Sequence, residues 1–356
     1  MGLTEDTIND AVEILAAGLA VKLDGPPGCG KSECASPGGD LHTKMAERVG
    51  VDPSEYGYVD IRPCIMESAD LTGFPWPNRD TGMVDRFMPS FLPTDPCSFG
   101  LINIEEINNA PKQWQPGLYQ LVQEKKVGEY SLPPGWSIMA TGNRAEDGCG
   151  VGKMSAALLD RFISLDFLPD SEDWRNNYAR KKGVDYRVIA ATQWLPDLIE
   201  TFDGTIKGAQ STPRSITAFA RVLESSGLNP TKVEKSLVNQ RIYRIAAGAL
   251  GEEDAGRVSG FLRVFAKLPD IDAILSGVSE AVPVPVDVDV QIASVSQLAK
   301  MSEPANIGNV LRWIDRNSKT MKIVFASDIE GNVANAIARD TVEYRDWRIA
   351  NAKLFR

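Results

Sequence analysis

A glycine-rich segment near the start of the chain has the residue types that hold a phosphate. It fits the pattern G-x-x-x-x-G-K-[ST] and reads Gly25-Pro26-Pro27-Gly28-Cys29-Gly30-Lys31-Ser32. In such a segment the glycines let backbone N–H groups turn toward an anion, Lys31 adds charge for the terminal phosphates, and Ser32 offers a hydroxyl to magnesium. An ordinary glycine-rich turn is the alternative. The apolar run Ala20–Asp24 predicts a strand directly before the segment, which favours phosphate binding.

Two carboxylates follow a second apolar run. Leu101–Glu105 predicts a buried strand that ends in Glu105 and Glu106. At that place one carboxylate can hold magnesium, and Glu106 is suited to act as the base that activates water. A solvated acidic turn is the alternative. After the next predicted strand, Asn143 is placed to orient an attacking water, with a simple turn as the alternative.

Two arginines stand at element boundaries where a guanidinium can meet an anion. Arg161 falls between a predicted helix and a predicted strand, and an exposed arginine there can reach a nucleotide held by a neighbouring subunit. From the residues alone we favour a surface salt bridge with Asp160 or another acid. Thr212 is a good N-cap and Pro213 a good first helical residue, so Arg214 falls in the first turn of a helix. There it can face an anion together with the helix N-terminus, or it can be a solvated surface arginine.

The elements that must position these residues alternate between strands and helices over residues 1–170. Apolar runs bounded by glycine, proline or polar residues predict five strands, at Ala20–Asp24, Tyr56–Arg62, Leu101–Glu105, Ser137–Thr141 and Phe162–Phe167. Helical patterns lie around them, at Thr4–Leu19, Leu41–Val49 and Gln113–Gln123. Pro37-Gly38-Gly39 predicts an early end to the helix after the phosphate segment, with Asp40 capping the next one. The alternation predicts an α/β fold in which helices cover a parallel five-stranded sheet. With the phosphate segment after its first strand, we expect the αβα sandwich of a P-loop NTPase.

Beyond Pro169 helical patterns dominate. They predict helices at Asp173–Lys182, Val188–Phe202, Pro213–Ser226 and Lys232–Ala247. Prolines alternate with valines in the run from Val282, which excludes a helix and indicates an extended connector. Leu311–Arg316 and Val333–Leu354 predict helices in a C-terminal extension. We therefore expect three domains, which are a nucleotide-binding core at 1–170, an all-helical lid at 171–280, and a connector with a helical extension at 281–356.

Composition limits the possible functions. With 356 residues, 43% of them hydrophobic and 24% charged, the chain has the composition of a globular protein. Its net charge of −10 disfavours unspecific binding to phosphate backbones, and the lone histidine, His42, excludes sites that need two imidazoles. No apolar run is long enough to predict a membrane span. The five cysteines contain no Cys-x-x-Cys pair, so we expect reduced thiols in a cytoplasmic protein: Cys29, Cys34, Cys64, Cys97 and Cys149.

In this order the motifs resemble the AAA+ ATPases, and most closely their MoxR-like branch. The resemblance extends to about residue 225, and it also draws on the run Gly100–Pro111 and on Gln123-Glu124 before the Gly128 turn. It implies ATP and Mg²⁺ as cofactors. Matched position by position, it implies the following roles: Gly25 to Ser32 as the Walker A loop, Glu105 and Glu106 as the Walker B pair, Asn143 as the first sensor, Arg161 as an arginine finger acting across a subunit interface, and Arg214 as the second sensor.

The resemblance also implies two excursions near a central pore, and two positions depart from the family pattern. Gly73–Pro93 matches an insert in the second helix, and Lys125–Pro134 matches a hairpin before the first sensor. Within the insert, Trp76 lies between prolines; we favour packing under the loop over a presented aromatic contact. Glu105 stands where the family has aspartate, which implies slower hydrolysis because magnesium geometry is strict. Asn109 stands where the family often has arginine.

The expected function is a magnesium-dependent ATPase that forms a homo-oligomeric, hexameric ring and remodels a protein partner. The resemblance implies a chaperone-like role, often beside a client with a von Willebrand factor A domain. One alternative is a nucleotide-gated scaffold that assembles but hydrolyses little ATP, and Glu105 supports it. Another is a nucleic-acid motor, which the acidic charge disfavours and which Lys125 and Lys126 on the expected hairpin keep open. No membrane partner is expected.

Overall fold

Two compact units make up the described part of the chain. The computed structural model describes residues 3–144, 147, 154–230, 236–278, 280–331, 338 and 340–355. The first unit comprises the described residues up to Val222 together with Gly248–Asp254. The second comprises Leu223–Ala247 and the described residues from Ala255 onward. Within the described ranges, no helix is long and apolar enough to cross a membrane.

A parallel sheet of five strands forms the centre of the first unit, in the order β2-β5-β8-β1-β9. Because β1 lies between β8 and β9, the chain leaves β1 for the far edge of the sheet and the strand order reverses beside it. Ligands of open α/β sheets bind in the crevice that such a reversal leaves at the carboxyl ends of the strands. The strands described in the chain are β1 Val21–Asp24, β2 Gly57–Ile61, β3 Phe74–Pro77, β4 Val84–Phe87, β5 Phe99–Ile104, β6 Lys126–Val127, β7 Tyr130–Ser131, β8 Gly135–Gly142 and β9 Ile163–Asp166.

Both faces of this sheet are covered by helices. Side chains alternate along β5, so Leu101 and Ile102 enter different apolar clusters although both are fully buried. The cluster around Leu101 contains residues of three helices, and the cluster around Ile102 contains residues of three others. Strands buried on both sides read as continuous apolar runs, which is why the sequence marks them clearly.

Helices predicted at Thr4–Leu19, Leu41–Val49, Gln113–Gln123 and Pro213–Ser226 begin and end within about three residues of those bounds. The helices before residue 227 follow in chain order. They are α1 Leu3–Ala16, α2 Lys31–Ala35, α3 Asp40–Val49, α4 Ser68–Thr72, α5 Gln115–Glu124, α6 Ala156–Leu159, α7 Ser171–Asp173, α8 Tyr186–Trp194, α9 Asp197–Glu200 and α10 Pro213–Ser226, whose last residues belong to the second unit. Short 3₁₀ turns at Ile107–Asn109 and Lys112–Trp114 precede α5, and a π-helical turn at Trp174–Ala179 continues α7.

Two antiparallel hairpins stand apart from the main sheet. Strands β3 and β4 pair within the expected insert, and β6 pairs with β7 within the second expected excursion. Trp76 on β3 is 60% exposed and makes an edge-to-face contact with Phe87 on β4, with ring centroids 5.9 Å apart. The prediction that Trp76 packs under the loop is therefore wrong. In a two-stranded hairpin the ring has no second layer to cover it.

The second unit is helical in its described part. Its core centres on Trp313 and Phe325, both fully buried. The valine–proline connector contains no helix, as its prolines predict. Val282 is buried, and its carbonyl accepts a hydrogen bond from the Trp313 indole at 3.2 Å. The helices from this part of the chain are α11 Leu237–Leu250, α12 Glu252–Phe265, α13 Ile271–Leu275, α14 Val288–Lys300, α15 Ile307–Ile314, α16 Lys319–Gly331 and α17 Val342–Ala350, followed by a 3₁₀ turn at Ala352–Leu354.

The predicted fold class is confirmed, namely a P-loop αβα sandwich with five parallel strands followed by helices. Several local predictions need correction. Asp40 is the first residue of α3 and not its cap, because Gly39 occupies the cap position. The long helix predicted over Val188–Phe202 is interrupted before Pro196, which cannot donate a backbone hydrogen bond. Parts of the helices predicted at Lys232–Ala247 and Val333–Leu354, and Cys149, lie outside the described residues. The three expected domain boundaries stay predictions.

Candidate nucleotide-binding site

The glycine-rich segment joins the end of β1 to the start of α2, at the carboxyl edge of the sheet. Its first residue, Gly25, donates its backbone N–H to the carbonyl of Gly142 on β8 at 3.3 Å. A Cβ added at Gly25 would lie 2.2 Å from the carbonyl oxygen of Phe167, which follows β9. The segment thus leaves the sheet through a gap between two neighbouring strands that only glycine can pass.

Two further glycines let the segment curl. Gly28 and Gly30 have φ angles of 73° and 109°, a region that side chains disfavour. The start of α10 lies directly on this curl, because the Arg214 N–H donates to the Gly28 carbonyl at 3.1 Å. A Cβ at Gly28 would lie 3.0 Å from Thr212 Oγ1, so the close contact also depends on glycine.

Lys31 brings its amine to the middle of the curl. The side chain is buried, and Nζ donates to the carbonyls of Gly25 and Pro26, each at 2.8 Å. Nζ also lies 3.3 Å from Oδ1 of Asn143, which follows β8. The first predicted phosphate ligand and the predicted first sensor are therefore in contact, although 112 positions separate them.

Asn143 is held in place by Asn108, a residue for which the sequence predicts no role. The Asn108 amide donates to the Asn143 carbonyl at 2.8 Å, and a Cβ at Gly142 would lie 2.4 Å from Asn108 Oδ1. Oδ1 of Asn108 is buried without a hydrogen-bond partner. These contacts lock the end of β8 against the turn that follows β5, which places Asn143 and the acidic pair at one edge.

The two carboxylates lie at this edge in different environments. Glu105 is 12% exposed and forms an ion pair with Arg62 through Oε2 at 3.1 Å. Glu106 is exposed and has φ 50°, a left-handed conformation that is costly for a residue with a side chain. Its backbone N–H is 3.4 Å from Thr141 Oγ1, and its Oε2 accepts from Asn109 Nδ2 at 3.3 Å. Asn109, which stands where the family often has arginine, thus contacts the predicted base.

Helix α10 begins as predicted, and its first turn enters the site. Ser215 donates its N–H to Thr212 Oγ1 at 3.1 Å while its own hydroxyl accepts from the Thr212 N–H at 2.9 Å, a reciprocal cap. Arg214 is exposed and lines the cleft, as does Arg221 two turns later on the same face. In the described part of the chain neither guanidinium has a hydrogen-bond or ion-pair partner.

These groups share one cleft of about 830 Å³, within the range of small-molecule sites. Besides the glycine-rich segment, the cleft is lined by Glu105, Glu106 and Asn143. Its lining also includes two aromatic residues, Trp174 and Tyr178, whose ring centroids are 6.4 Å apart. One cleft therefore offers cations, amides, carboxylates and aromatic side chains.

Two lysines also border the cleft. Lys181 pairs with Asp40 at 3.6 Å and Lys182 with Glu33 at 3.3 Å. No local sequence pattern marks these lysines, the aromatic pair or Arg62. A readable signal existed for Arg221, because it follows Arg214 by seven positions and so shares its helix face. The lysines and the aromatic pair come to the cleft through chain connections that no local pattern specifies, and Arg62 contacts Glu105 without lining the cleft.

The donors present fit a magnesium ion held together with a triphosphate. Among the described residues no group of three or more His, Cys, Asp or Glu side chains is arranged to hold a metal. Magnesium beside a nucleotide needs only one or two protein oxygens, because phosphates and water complete its shell. Ser32 and Glu105 both line the cleft and offer oxygens of this kind.

Arg161 lies apart from this cleft and is not among its lining residues. Its Nε donates to Gln123 Oε1 at 2.8 Å, Nη1 donates to the Ala157 carbonyl, and the guanidinium lies 5.0 Å from the centroid of the Tyr119 ring. These partners are neutral, so the salt bridge with Asp160 that the residues alone favoured does not hold Arg161. The side chain is fixed by polar and aromatic contacts at the surface of the single chain.

His42 and Cys29 are not suited to take part in catalysis. His42 is fully buried and its Nε2 lies 3.0 Å from the Tyr56 carbonyl, which gives it a structural role. Burial raises the pKa of the Cys29 thiol, against the lowering effect of Lys31, so Cys29 is no thiolate nucleophile. Cys29, Cys34, Cys64 and Cys97 are all without disulfides.

Comparisons with known proteins found matches of low similarity among solved structures. No protein-family model matches the chain, and no curated protein matches it. Among solved structures it is similar to a DNA polymerase III gamma subunit-related protein of Thermotoga maritima, at 12% identity over 99% of this chain and all of that one, with a TM-score of 0.38. It is also similar to a RuvB mutant from the same organism, at 14% identity over 92% and 86% of the two chains, with a TM-score of 0.36.

A third similar structure is NtrX from Brucella abortus. Identity is 12%, coverage is 92% of this chain and 68% of that one, and the TM-score is 0.39. At such low scores none of these structures bears on what the cleft binds or does. The functional conclusion rests on the cleft itself.

Proposed function

We propose that the chain is a magnesium-dependent ATPase of the AAA+ type, most similar to the MoxR-like branch. One observation carries this proposal: a phosphate-loop lysine, two strand-end carboxylates, a strand-end amide and a helix-start arginine, from distant parts of the sequence, line a single cleft. Each group has the chemistry that phosphoryl transfer to water requires.

The residues divide the work of hydrolysis among them. Backbone N–H groups of the curl and Lys31 bind the phosphates. Ser32 and Glu105 would hold magnesium, which would neutralise charge on the phosphates. Glu106 accepts the proton of the attacking water, and Asn143 orients that water. Arg214 adds positive charge near the transferred group. The barrier is lowered by position and fixed charge more than by covalent chemistry.

A ring of subunits, hexameric by resemblance, would bring Arg161 of one subunit to the cleft of the next. Arg161 lies outside the cleft of its own chain, on a surface where Gln123 and Tyr119 hold the guanidinium. At that surface it would face the cleft of a neighbouring subunit and act there as an arginine finger. A group of this kind is worth about 10³ to 10⁵ in rate, so activity would depend on assembly.

The client side of the proposal rests on the insert hairpin. Trp76 and Phe74 on β3 are 60% and 65% exposed, and Phe87 on β4 is 62% exposed. Exposed aromatic residues in contact are suited to grip a protein segment. We propose that this hairpin engages a protein client during the ATP cycle, and the resemblance suggests a client with a von Willebrand factor A domain.

One alternative function has support from a specific observation. The ion pair with Arg62 occupies Oε2 of Glu105, so one oxygen of this carboxylate is left for magnesium, which would suit a nucleotide-gated scaffold that binds ATP and hydrolyses little of it. The nucleic-acid motor loses part of its support, because Lys125 Nζ donates to the Trp136 carbonyl at 3.2 Å and burial lowers its pKa. Of the two lysines on that hairpin, Lys126 is the exposed one.

The decisive comparison measures ATP binding and phosphate release for the natural chain, Glu106→Gln and Glu55→Gln. Glu55 is an exposed glutamate outside the cleft and serves as the matched control. We expect Glu106→Gln to bind ATP as well as the natural chain and to turn over about 10² to 10⁴ times more slowly, the usual worth of a general base. Glu55→Gln should be unaffected.

Two results would change the conclusion. Equal near-zero turnover in all three chains, with ATP binding intact, would leave only the scaffold. Retained tight ATP binding by Lys31→Ala would remove the phosphate-loop assignment, since that amine is the buried cation of the curl.

A further inference from the structure

A ladder of polar side chains crosses the end of the sheet on the face that carries the glycine-rich segment. Residues two apart in a strand share a face, so Tyr58 and Asp60 on β2 and Arg62 just after it align, as do Asn103 and Glu105 along β5. Asn103 is fully buried, and its Nδ2 donates to the Tyr58 hydroxyl at 3.1 Å. The ladder runs from this buried pair outward to Arg62.

Strand register brings the charged end of the ladder together. Strands β2 and β5 pair in parallel with Ile61 opposite Ile104. The backbone hydrogen bonds between the two strands extend one residue further, because the Glu105 N–H donates to the Ile61 carbonyl at 2.8 Å. Arg62 and Glu105 therefore occupy the next cross-strand position. Their side chains meet at 3.1 Å, between Arg62 Nη2 and Glu105 Oε2.

Arg62 is itself fixed by a second acid. Its Nε donates to Asp60 Oδ2 at 2.8 Å, and its Nη2 lies 2.8 Å from the same oxygen. A guanidinium held in this way has a defined direction, which a flexible lysine lacks. Arg62 does not line the cleft, so any effect on a bound ion passes through Glu105.

We propose, on the basis of the function proposed above, that Arg62 is a positioning residue for the magnesium site, which holds Oε2 of Glu105 so that the other oxygen meets the metal. The extra methylene of glutamate gives its carboxylate more freedom than that of aspartate, and magnesium tolerates little variation in ligand position. A partner that binds one oxygen removes that freedom. Partners behind a metal ligand commonly change metal affinity by about 10- to 100-fold.

The test measures how the affinity for a fluorescent, non-hydrolysable ATP analogue depends on Mg²⁺ concentration. For Arg62→Ala we expect the Mg²⁺ concentration at half-maximal tightening to rise about 10-fold. Affinity measured with excess EDTA should stay unchanged. Arg62→Lys should fall between, because it keeps the charge and loses the planar fork. Arg48→Ala, which breaks an exposed ion pair with Glu13 outside the cleft, is the matched control and should behave as the natural chain.

A double substitution tests whether Glu105 transmits the effect. The shorter acid in Glu105→Asp does not reach Arg62, so adding Arg62→Ala to Glu105→Asp should change the Mg²⁺ dependence little further. Asp60→Asn should shift it in the same direction as Arg62→Ala and keep the fold if Arg62→Ala does not. An unchanged or lowered half-saturation in folded Arg62→Ala would overturn the inference. Failure of the natural chain to bind the analogue would instead overturn the proposed function.

Discussion

The buried amine of Lys31 shows how single residues carry both fold and function here. Its hydrogen bonds with the Gly25 and Pro26 carbonyls keep the curl closed, and its contact with Asn143 ties the curl to the neighbouring strand. The same Nζ is the cation that a terminal phosphate would meet. A desolvated charge gains more from a phosphate partner than a solvated one. Lys31 therefore stabilises the curl in the absence of a ligand and would bind the phosphate when a nucleotide is present.

His42 makes stability depend on pH in a defined direction. Burial lowers its pKa from the ordinary 6.5, against the opposing effect of the hydrogen bond with Tyr56. The unfolded chain takes up a proton below that value while the folded chain does not, so the stability is present above the unfolded pKa and is lost as the pH falls. We expect the urea midpoint of the natural chain to exceed that of His42→Gln at about pH 7.5, and the difference to shrink toward about pH 5.5. A difference that stays constant over this range would contradict the assignment.

At the scale of elements, the site depends on the gap through which the chain leaves β1. Gly25 passes between the end of β8 and the residue after β9, and a Cβ there would overlap a backbone oxygen that cannot rotate away. Overpacking of this kind commonly costs about 1 to 3 kcal/mol even where side chains can yield. The conformation of the phosphate-binding curl therefore depends on its packing against the edge of the sheet.

Gly25→Ala should lower the free energy of unfolding by at least about 2 kcal/mol and abolish ATP-analogue binding, because the whole curl must shift. Urea unfolding and analogue titration measure the two effects. Gly248→Ala is the matched control, since a Cβ at this site in α11 meets nothing within 4 Å. It should stabilise the chain by about 0.5 to 1 kcal/mol as a helix substitution and leave binding unchanged. Normal analogue binding by Gly25→Ala would contradict the described packing.

The sequence was sufficient to predict most elements, and the reason is physical. The sheet strands are buried on both faces, so Leu101 and its neighbours form an apolar run ending at Glu105, and the glycine pattern marks the curl. The pair between Arg62 and Glu105 could not be predicted, because it depends on the register of two strands distant in sequence. The π-helical turn at Trp174–Ala179 also escaped, since its apolar spacing is compatible with an ordinary helix.

At the scale of the whole molecule, the cleft of one chain is lined by every predicted site residue except Gly25 and Pro26, at the start of the curl, and Arg161. That arginine is held on the surface by Gln123, by the Ala157 carbonyl and by the Tyr119 ring. An oriented surface guanidinium of this kind loses less entropy on binding than a solvated one. The proposal therefore makes the assembled ring, and not the single chain, the unit of activity.

Mixing two inactive variants tests the central claim most directly. Arg161→Ala lacks the finger and keeps its own cleft, while Glu106→Gln keeps the finger and lacks the base. We predict near-background phosphate release from each variant alone, about 10³-fold or more below the natural chain for Arg161→Ala, and a clear rise on mixing. The rise comes from interfaces where an intact Glu106 meets an intact Arg161. Natural turnover by Arg161→Ala alone, or no rise from mixtures shown by mass to contain both variants, would contradict the account.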